Sequence, residues 1–176
     1  MAEAYIAVGS NVRPENNIPE AVELLSYLFT ITGISSFYRN PPLGKSEQDD
    51  FVNGMIRIET VFPPLTLKTD MLMELEEKLE RVRTEDKDAP RTIDLDLVLY
   101  GEELLKDPSL ILPAPDLLKR NFLYVPLLEI APDILFPGTD RKVSGLIPKG
   151  KVKTGLKLDI HLTRQTGEIV NGKAHP

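Results

Sequence analysis

The sequence predicts an α+β domain built on a ferredoxin-like antiparallel sheet. Four apolar runs typical of strands are interrupted by two amphipathic helical patterns, in the order strand, helix, strand, strand, helix, strand. That order is typical of the split β-α-β arrangement, in which we expect two helices to cover one face of the sheet. The 176 residues, 41% of them hydrophobic, are enough for one domain with a sizeable core.

The first strand and the first helix come from the beginning of the chain. Residues 4–11 are a short apolar run that ends in Gly-Ser-Asn, which is typical of a buried strand leading into a turn. Two asparagines followed by Pro19 predict the start of a helix, and Gly33 is expected to end it. The apolar stripe of this helix consists of Ala21, Leu24, Leu25 and Leu28.

Two further strands and the second helix follow. Residues 34–39 predict the second strand, and the loop 40–50 cannot extend it because its two prolines lack N–H donors. Residues 51–62 predict the third strand, in which Gly54 indicates a bulge or a close approach. The second helix has the clearest periodicity of the chain, with the stripe Leu72, Leu75, Leu79 and Val82.

A charged loop, 81–91, leads into the fourth strand at 90–101. Beyond it, prolines punctuate the chain and a short helix is expected near 125–131. Strict alternation of apolar residues over 155–164 predicts a half-buried strand, paired as a hairpin with 167–172. We therefore expect two units.

These units are a main domain of residues 1–138 and a C-terminal β extension of residues 139–176. The segment from Lys149 onward carries six Lys and Arg against two acids, whereas the whole chain has a net charge of −6. We expect the extension to cover a sheet edge, and the alternative is a basic surface that docks a partner or supplements phosphate binding.

Composition excludes several classes of function. The chain has no cysteine and only two histidines, which argues against thiolate chemistry and against a histidine-rich zinc site. The acidic balance argues against a nucleic-acid binder. No stretch of about 18 apolar residues and no basic, apolar leader occurs, so we expect neither membrane spanning nor export, and a cytoplasmic location.

Two aspartates in the apolar run of the fourth strand are the strongest sign of chemistry. Residues i and i+2 of a strand point to one face, about 6–7 Å apart, so Asp94 and Asp96 converge. Thr92 and Val98 share their face, and the opposite face is filled by Ile93, Leu95, Leu97 and Leu99. Convergent carboxylates repel unless a cation lies between them, and oxygen ligands favour Mg²⁺ or Mn²⁺.

The alternative is that each aspartate pairs with an arginine at a solvated edge. Arg81, Arg83 and Arg91 lie on the loop that leads into the strand, and a guanidinium matches the geometry of phosphate oxygens. Arginines beside a dicarboxylate favour a nucleotide site. Because no glycine-rich phosphate loop is present, such a site has to depend on metal and arginine.

Seven motifs occur in the order and spacing of the 6-hydroxymethyl-7,8-dihydropterin pyrophosphokinase family, which the chain resembles over residues 4 to about 138. They are YIAVGSN, SSFYRNPPLG, DFVNG, RVR, PRTIDLDLVLYG, RNFLYVPLLEIAPD and a final FP. The resemblance implies an ATP-dependent enzyme of folate biosynthesis. It would transfer pyrophosphate from ATP to the hydroxymethyl group of the reduced pterin and release AMP.

The resemblance also implies the residues that would bind ATP and metal. Asp94 and Asp96 would hold two Mg²⁺ ions that bridge the triphosphate, and with Arg81 and Arg91 they would form the catalytic set. Further ATP contacts would come from Glu76, Arg83 and Arg120.

The pterin would lie between two aromatic rings. The resemblance implies that Phe51 and Phe122 stack on it and that Asn53 bonds its edge. The first loop would line the same pocket through Pro41, Pro42, Leu43 and Gly44.

Three positions depart from the family pattern: Ala114 in place of a histidine, Asp88 in place of a tryptophan and Met73 in place of a glutamine. They keep open a non-catalytic paralogue that senses nucleotide or pterin. An RNA-binding module on the same general fold is a third hypothesis, although the main body is acidic and Tyr100 is the single aromatic of the fourth strand. We expect a monomer, with a dimer as the alternative.

Overall fold

The computed structural model describes residues 1–42, 48–82, 89–148 and 155–172. The strands are β1 (Ala2–Ser10), β2 (Thr30–Ile34), β3 (Tyr38–Asn40), β4 (Phe51–Thr60), β5 (Asp94–Tyr100), β6 (Leu105–Asp107), β7 (Leu110–Leu112) and β8 (Lys157–Leu158). The helices are α1 (Pro14–Leu28), α2 (Pro64–Thr66), a π-helical segment (Leu67–Leu72), α3 (Met73–Lys78), α4 (Asn121–Ile130), α5 (Val143–Leu146) and α6 (Ile160–Gly172). In these ranges no helix has the length and apolarity needed to cross a membrane.

The main sheet is antiparallel and has the spatial order β5-β1-β4-β3-β8, with β2 also paired to β4. β1 pairs with β4 along its whole length, from Ala2 opposite Thr60 to Ser10 opposite Val52. A separate hairpin joins β6 and β7. The predicted mixed α and β architecture with an antiparallel sheet is confirmed.

Both faces of the sheet are covered, whereas the sequence predicted one. On the first face α1, α6 and the continuous helical run 64–78 bury the larger core. Its strand residues include Ile6, Val8, Ile56, Ile58 and Leu95, and its helix residues include Ile18, Leu25, Leu72 and Leu75. On the second face α4 packs through Tyr124, Val125 and Leu127, so the predicted short helix near 125–131 is confirmed and is a core element.

The region after α1 differs from the prediction. α1 ends at Leu28, and Gly33 lies inside β2 rather than ending the helix. The β-branched residues of the segment Thr-Ile-Thr-Gly-Ile favour a strand over a further helical turn. The predicted strand 34–39 is split, because Phe37 leaves the ladder and its ring covers Gly54, where a Cβ would lie 2.6 Å from the ring. The close approach expected at Gly54 is therefore confirmed.

The helical run 64–78 ends one turn earlier than its stripe predicted. Leu72, Leu75 and Leu79 are buried as expected, but Val82 is 76% exposed. The chain reverses at Glu80, whose φ of 58° is left-handed. This reversal turns the following residue, Arg81, back toward the sheet, and its N–H donates to the carbonyl of Glu76 at 3.0 Å.

The C-terminal extension is mainly a helix, and the predicted hairpin is wrong. β8 pairs with β3 at the sheet edge, and α6 then begins where Asp159 accepts a hydrogen bond from the N–H of Leu162 at 3.0 Å. The buried Leu162 and Thr166 have helical spacing, and Thr166 is followed by the packed Ile169 and Val170. The apolar alternation was misleading because Leu158 and Ile160 are exposed.

Candidate active site

Three neighbouring strands place one polar row on the second face of the sheet. Gly9 of β1 lies opposite Asn53 of β4 on one side and opposite Asp94 of β5 on the other. Directly opposed residues share a face, so a side chain at the central position would lie between the amide and the carboxylate. A Cβ on Gly9 would lie 2.7 Å from Asn53 Oδ1 and 3.9 Å from Asp94 Cβ. Glycine therefore opens a recess between two polar groups.

The predicted convergence of the aspartates is present in β5. Asp94, Asp96 and Val98 alternate with the buried Leu95 and with Leu97. The pairing with β1 shifts register after Leu97, which lies opposite Ile6, so that the next paired residue is Leu99 opposite Tyr5. Leu99 consequently packs in the second core rather than beside Leu95, which corrects that part of the predicted alternation.

Asp94 is held by two guanidinium groups. Arg81 Nη1 donates to Asp94 Oδ1 at 2.6 Å and also to Glu76 Oε1, while Arg91 Nη1 donates to Asp94 Oδ2. The side chain of Asp94 is 14% exposed. Burial lowers the pKa of the Arg81 guanidinium, but the negative charges of Asp94 and Glu76 outweigh it, so the pKa is raised overall. Charged donors on both carboxylate oxygens fix the orientation of Asp94.

Asp96 has a different environment. Its side chain is 58% exposed, and Oδ1 accepts a hydrogen bond from Lys68 Nζ at 2.9 Å. Desolvation alone would raise the pKa of its carboxyl, but the positive charges of Lys68, Arg81 and Arg91 lower it below the ordinary value. Asp96 is therefore ionised and accessible, as a metal ligand has to be.

Glu76 supports the strand between the two aspartates. It is completely buried, and its Oε1 accepts hydrogen bonds from the Leu95 N–H at 2.7 Å and from Arg81. Burial raises the pKa of Glu76, and the Leu95 N–H, Lys68 and Arg81 act against this rise. The alternative interpretation of Glu76 from the sequence, a solvated residue on the helix surface, is wrong because the side chain lies in the interior.

Two cavities meet beside this cluster and share Arg91, Asp94 and Phe122 as a common wall. The smaller cavity has a volume of about 170 Å³. Its other lining residues are Gly9, Asn40, Pro42, Gln48, Phe51, Asn53 and Ala89. The larger cavity, of about 460 Å³, is lined on its charged side by Lys68, Asp96, Asp116 and Arg120.

Most of the predicted site residues come together at these cavities. Phe51, Asn53, Pro42 and Phe122 line the smaller one, and Asp96 and Arg120 line the larger. Arg81 and Glu76 line neither and lie behind Asp94. The exposed Pro41 is also absent from both linings. The predictions for Leu43, Gly44 and Arg83, and the departure at Asp88, lie outside the described residues.

The sequence did not single out four residues that the structure places at the cavities. Gly9 seemed to be part of a plain turn, and its cross-strand position is visible only after the sheet register is known. Asn40 accepts a hydrogen bond from Asn53 Nδ2 at 2.6 Å, and Gln48 accepts one from Asn11 Nδ2 at 3.1 Å. The position of Lys68 could not be predicted from the neighbouring sequence, because a single lysine on a helix is normally solvated.

The carboxylates beside the larger cavity have the chemistry of ligands for a divalent cation. Within the described ranges no group of three or more His, Cys, Asp or Glu side chains could hold a metal ion. Asp94 and Asp96 supply hard oxygen ligands beside the larger cavity. Mg²⁺ is commonly bound by one or two carboxylates together with waters and substrate phosphates, so this pair fits that ion.

Sequence comparison matches residues 5–132 to the family model described as 7,8-dihydro-6-hydroxymethylpterin-pyrophosphokinase. A 2-amino-4-hydroxy-6-hydroxymethyldihydropteridine pyrophosphokinase of Haemophilus influenzae is 40% identical over 142 residues, covering 79% of this chain and 88% of the relative. The protein of the same name from Pseudomonas aeruginosa is 38% identical over 137 residues, covering 76% and 83%.

Structural comparison gives a similar fold in a larger protein. A triple mutant of Plasmodium falciparum HPPK-DHPS, solved with pteroate, superimposes with a TM-score of 0.64 at 13% sequence identity. The match covers 82% of this chain and 42% of that chain. At this identity the likeness concerns the fold alone.

Proposed function

The chain belongs to the 7,8-dihydro-6-hydroxymethylpterin-pyrophosphokinase family, and from this premise we propose how its residues divide the work of the reaction. The chain is an ATP-dependent enzyme of folate synthesis that transfers pyrophosphate to the hydroxymethyl group of 6-hydroxymethyl-7,8-dihydropterin. Because the matching relatives are named pyrophosphokinases, we favour the enzyme over the non-catalytic sensor and over the RNA-binding module. The division of labour rests on one observation, the wall of Arg91, Asp94 and Phe122 that the two cavities share.

The smaller cavity is the site that we propose for the pterin. Phe51 and Phe122 offer ring faces for a flat heterocycle, and Asn53 offers an amide for its polar edge. Gly9 leaves the space into which the ring fits, because any larger residue would meet Asn53. Pro42 borders the same cavity, and we extend the proposal to Pro41, Leu43 and Gly44 of the same loop.

The larger cavity is the site that we propose for ATP. It combines Arg120 and Arg91 with the exposed Asp96, so it presents both phosphate ligands and metal ligands. Its volume of about 460 Å³ suits ATP, the larger of the two substrates. Arg83 belongs to this proposal by family resemblance, and Glu76 acts on it indirectly by holding the strand that carries the aspartates.

Asp94 and Asp96 are the residues that would hold Mg²⁺, and two ions are our expectation. A divalent cation at this position would neutralise phosphate charge and orient the triphosphate. Arg81 and Arg91 would orient Asp94 for the metal, since each guanidinium holds one of its two carboxylate oxygens. Ala114, in place of the family's histidine, leaves the larger cavity with one polar group fewer.

Arg91 is the residue best placed to act on the transferred group. It lines both cavities, so its guanidinium lies near the point where the pterin hydroxymethyl oxygen would meet the β-phosphorus. A fixed positive charge at that point stabilises the charge that develops on the phosphoryl oxygens in the transition state. Arg81, in contrast, positions Asp94, and its phosphate contact stays a prediction.

The strand order with β1 and β4 at the centre supports the ferredoxin-like assignment. We retain a main domain of residues 1–138 and an extension of residues 139–176, in which a short strand and a helix replace the hairpin. Monomeric state and cytoplasmic location remain predictions. Size-exclusion chromatography with light scattering checks the first, and fractionation of cells checks the second.

The experiment that tests the site assignment is an assay of AMP formation. Asp96→Asn should lower AMP formation by orders of magnitude without loss of the far-UV circular dichroism spectrum, because the exposed carboxylate serves metal rather than packing. Asp133→Asn is the matched control, since Asp133 pairs only with the surface Lys142 among the described contacts. Near-normal turnover by Asp96→Asn at low Mg²⁺ would reject the metal assignment.

A further inference from the structure

Lys68 bonds one of the two carboxylates to which we assign the metal. Its Nζ lies 2.9 Å from Asp96 Oδ1 and 2.8 Å from the carbonyl oxygen of Leu95. The lysine side chain is only 14% exposed, although the aspartate that it bonds is 58% exposed. Lysine side chains normally extend into solvent, so this arrangement is specific.

The segment that carries the lysine is itself anchored in the core. Lys68 lies in the π-helical segment Leu67–Leu72, whose wider turn moves the following side chains relative to a regular helix. The first and last residues of this segment, Leu67 and Leu72, are completely buried and anchor it in the core. The ammonium is therefore held by packing of the helix as well as by its two hydrogen bonds.

The strand supplies the second half of the arrangement. The Leu95 carbonyl accepts a hydrogen bond from Lys68, and the Leu95 N–H donates one to Glu76 Oε1 at 2.7 Å. Two side chains of one helical run therefore hold both backbone groups of the residue between Asp94 and Asp96. Loss of Lys68 would leave the Glu76 contact in place. The position of the strand and the charge beside Asp96 can consequently be separated by mutation.

We propose that Lys68 is a built-in competitor for the metal at Asp96. Its fixed positive charge pairs with the carboxylate and repels an incoming divalent cation, so that the acid pair binds metal weakly until nucleotide phosphates supply further negative charge. The inference rests on the proposed metal role of Asp94 and Asp96. It adds a residue that acts on metal affinity through Asp96.

The size of the effect follows from Coulomb's law. A unit charge about 5 Å from a divalent ion near solvent changes its affinity by an order of magnitude or more. Removing the lysine charge should thus tighten metal binding to the nucleotide-free protein on the order of tenfold. A residue that merely stabilised the fold would have the opposite effect or none.

The test is a titration of nucleotide-free protein with Mn²⁺, followed by electron paramagnetic resonance of the free ion. Lys68→Met keeps the apolar stem and should bind Mn²⁺ about tenfold more tightly, whereas Lys68→Arg should stay close to the parent. Lys78→Met is the matched control, because Lys78 lies on the same helical run and pairs with Glu74 at the surface. Its Mn²⁺ affinity should not change.

Three results would overturn the proposal. Unchanged or weaker Mn²⁺ binding by Lys68→Met would show that the charge does not oppose metal. Tighter binding by both Lys68→Met and Lys68→Arg would show that side-chain shape matters rather than charge. If Asp96→Asn binds Mn²⁺ as well as the parent does, the metal assignment itself fails, and Lys68 then has no metal to compete with.

Discussion

Replacement of Arg81 by methionine would separate structural support from chemistry in this site. The guanidinium of Arg81 is 13% exposed and bridges two carboxylates, the fully buried Glu76 and the nearly buried Asp94. Arg81→Met removes the cation and keeps an unbranched apolar side chain in place of the arginine stem. Asp94 retains Arg91, and Glu76 retains the N–H of Leu95 and the nearby charge of Lys68, so the main consequence is a buried carboxylate that has lost the cation hydrogen-bonded to it.

The expected loss of stability in Arg81→Met follows from the charge that remains on Glu76. Removing one partner of a buried ion pair costs about 3–5 kcal/mol of the free energy of unfolding, because the other charge stays buried without compensation. The retained hydrogen bonds place Arg81→Met near 3 kcal/mol, at the lower end of that range. Glu76→Gln keeps an acceptor for the Leu95 N–H and leaves Arg81 paired with Asp94, so it should cost only about 1 kcal/mol.

The decisive measurement is a double-mutant cycle by urea unfolding at neutral pH. Arg81→Met with Glu76→Gln leaves no uncompensated buried charge, so the double variant should be about 1–2 kcal/mol more stable than Arg81→Met alone. AMP formation should stay low in the double variant, because Asp94 is still less firmly oriented. Lys78→Met, which breaks an exposed pair with Glu74, should change stability by less than about 0.5 kcal/mol.

The reasoning would be refuted by a double variant that is as unstable as Arg81→Met. That result would mean that the arginine stabilises the fold through packing of its stem, not through the charge of Glu76. Recovery of both stability and AMP formation would refute the positioning role instead, since Asp94 would then work without Arg81.

Four further predictions follow from individual residues. Gly9→Ala should raise the KM for the pterin at least about tenfold with little change in the KM for ATP, because its Cβ would lie 2.7 Å from Asn53 Oδ1; steady-state kinetics checks this. Glu80→Gly should stabilise the protein by about 0.5–1 kcal/mol in urea unfolding, since φ is 58°. Asp159→Ala should cost about 1–2 kcal/mol through loss of the α6 cap and of an ion pair, measured by thermal unfolding. Because the pKa of Asp96 is lowered, its contribution to stability should be fully present above the ordinary aspartate pKa of about 4 and should disappear as pH falls through the lowered value. Urea unfolding of Asp96→Asn and of the parent at several acid pH values checks this.

Much of the architecture could be predicted from periodicity because most elements bury a regular face. The apolar runs of β1, β4 and β5 and the stripe Leu72, Leu75 and Leu79 all enter the core. The predictions fail where the buried residues do not follow the apolar pattern of the sequence. Residues 160–172 became a helix because Asp159 caps it and Leu162 and Thr166 face the core, a pattern that the shorter alternation before them concealed.

The site was predictable to the extent that its residues are adjacent in sequence. Asp94 and Asp96 could be placed together from strand geometry alone, and family motifs pointed to the residues around them. Gly9 and Lys68 could not be found in the same way. The role of Gly9 depends on the register of three strands, and that of Lys68 depends on the position of the π-helical segment beside β5.

The two hydrogen bonds at Leu95 also protect the outer edge of β5. A strand at the border of a sheet exposes N–H and C=O groups to which a strand of another molecule can add, which is a common route to aggregation. Here Glu76 and Lys68 already bond both groups of Leu95, as a neighbouring strand would do. The same two side chains that support the acid pair thereby leave neither backbone group of Leu95 open to a strand of another copy.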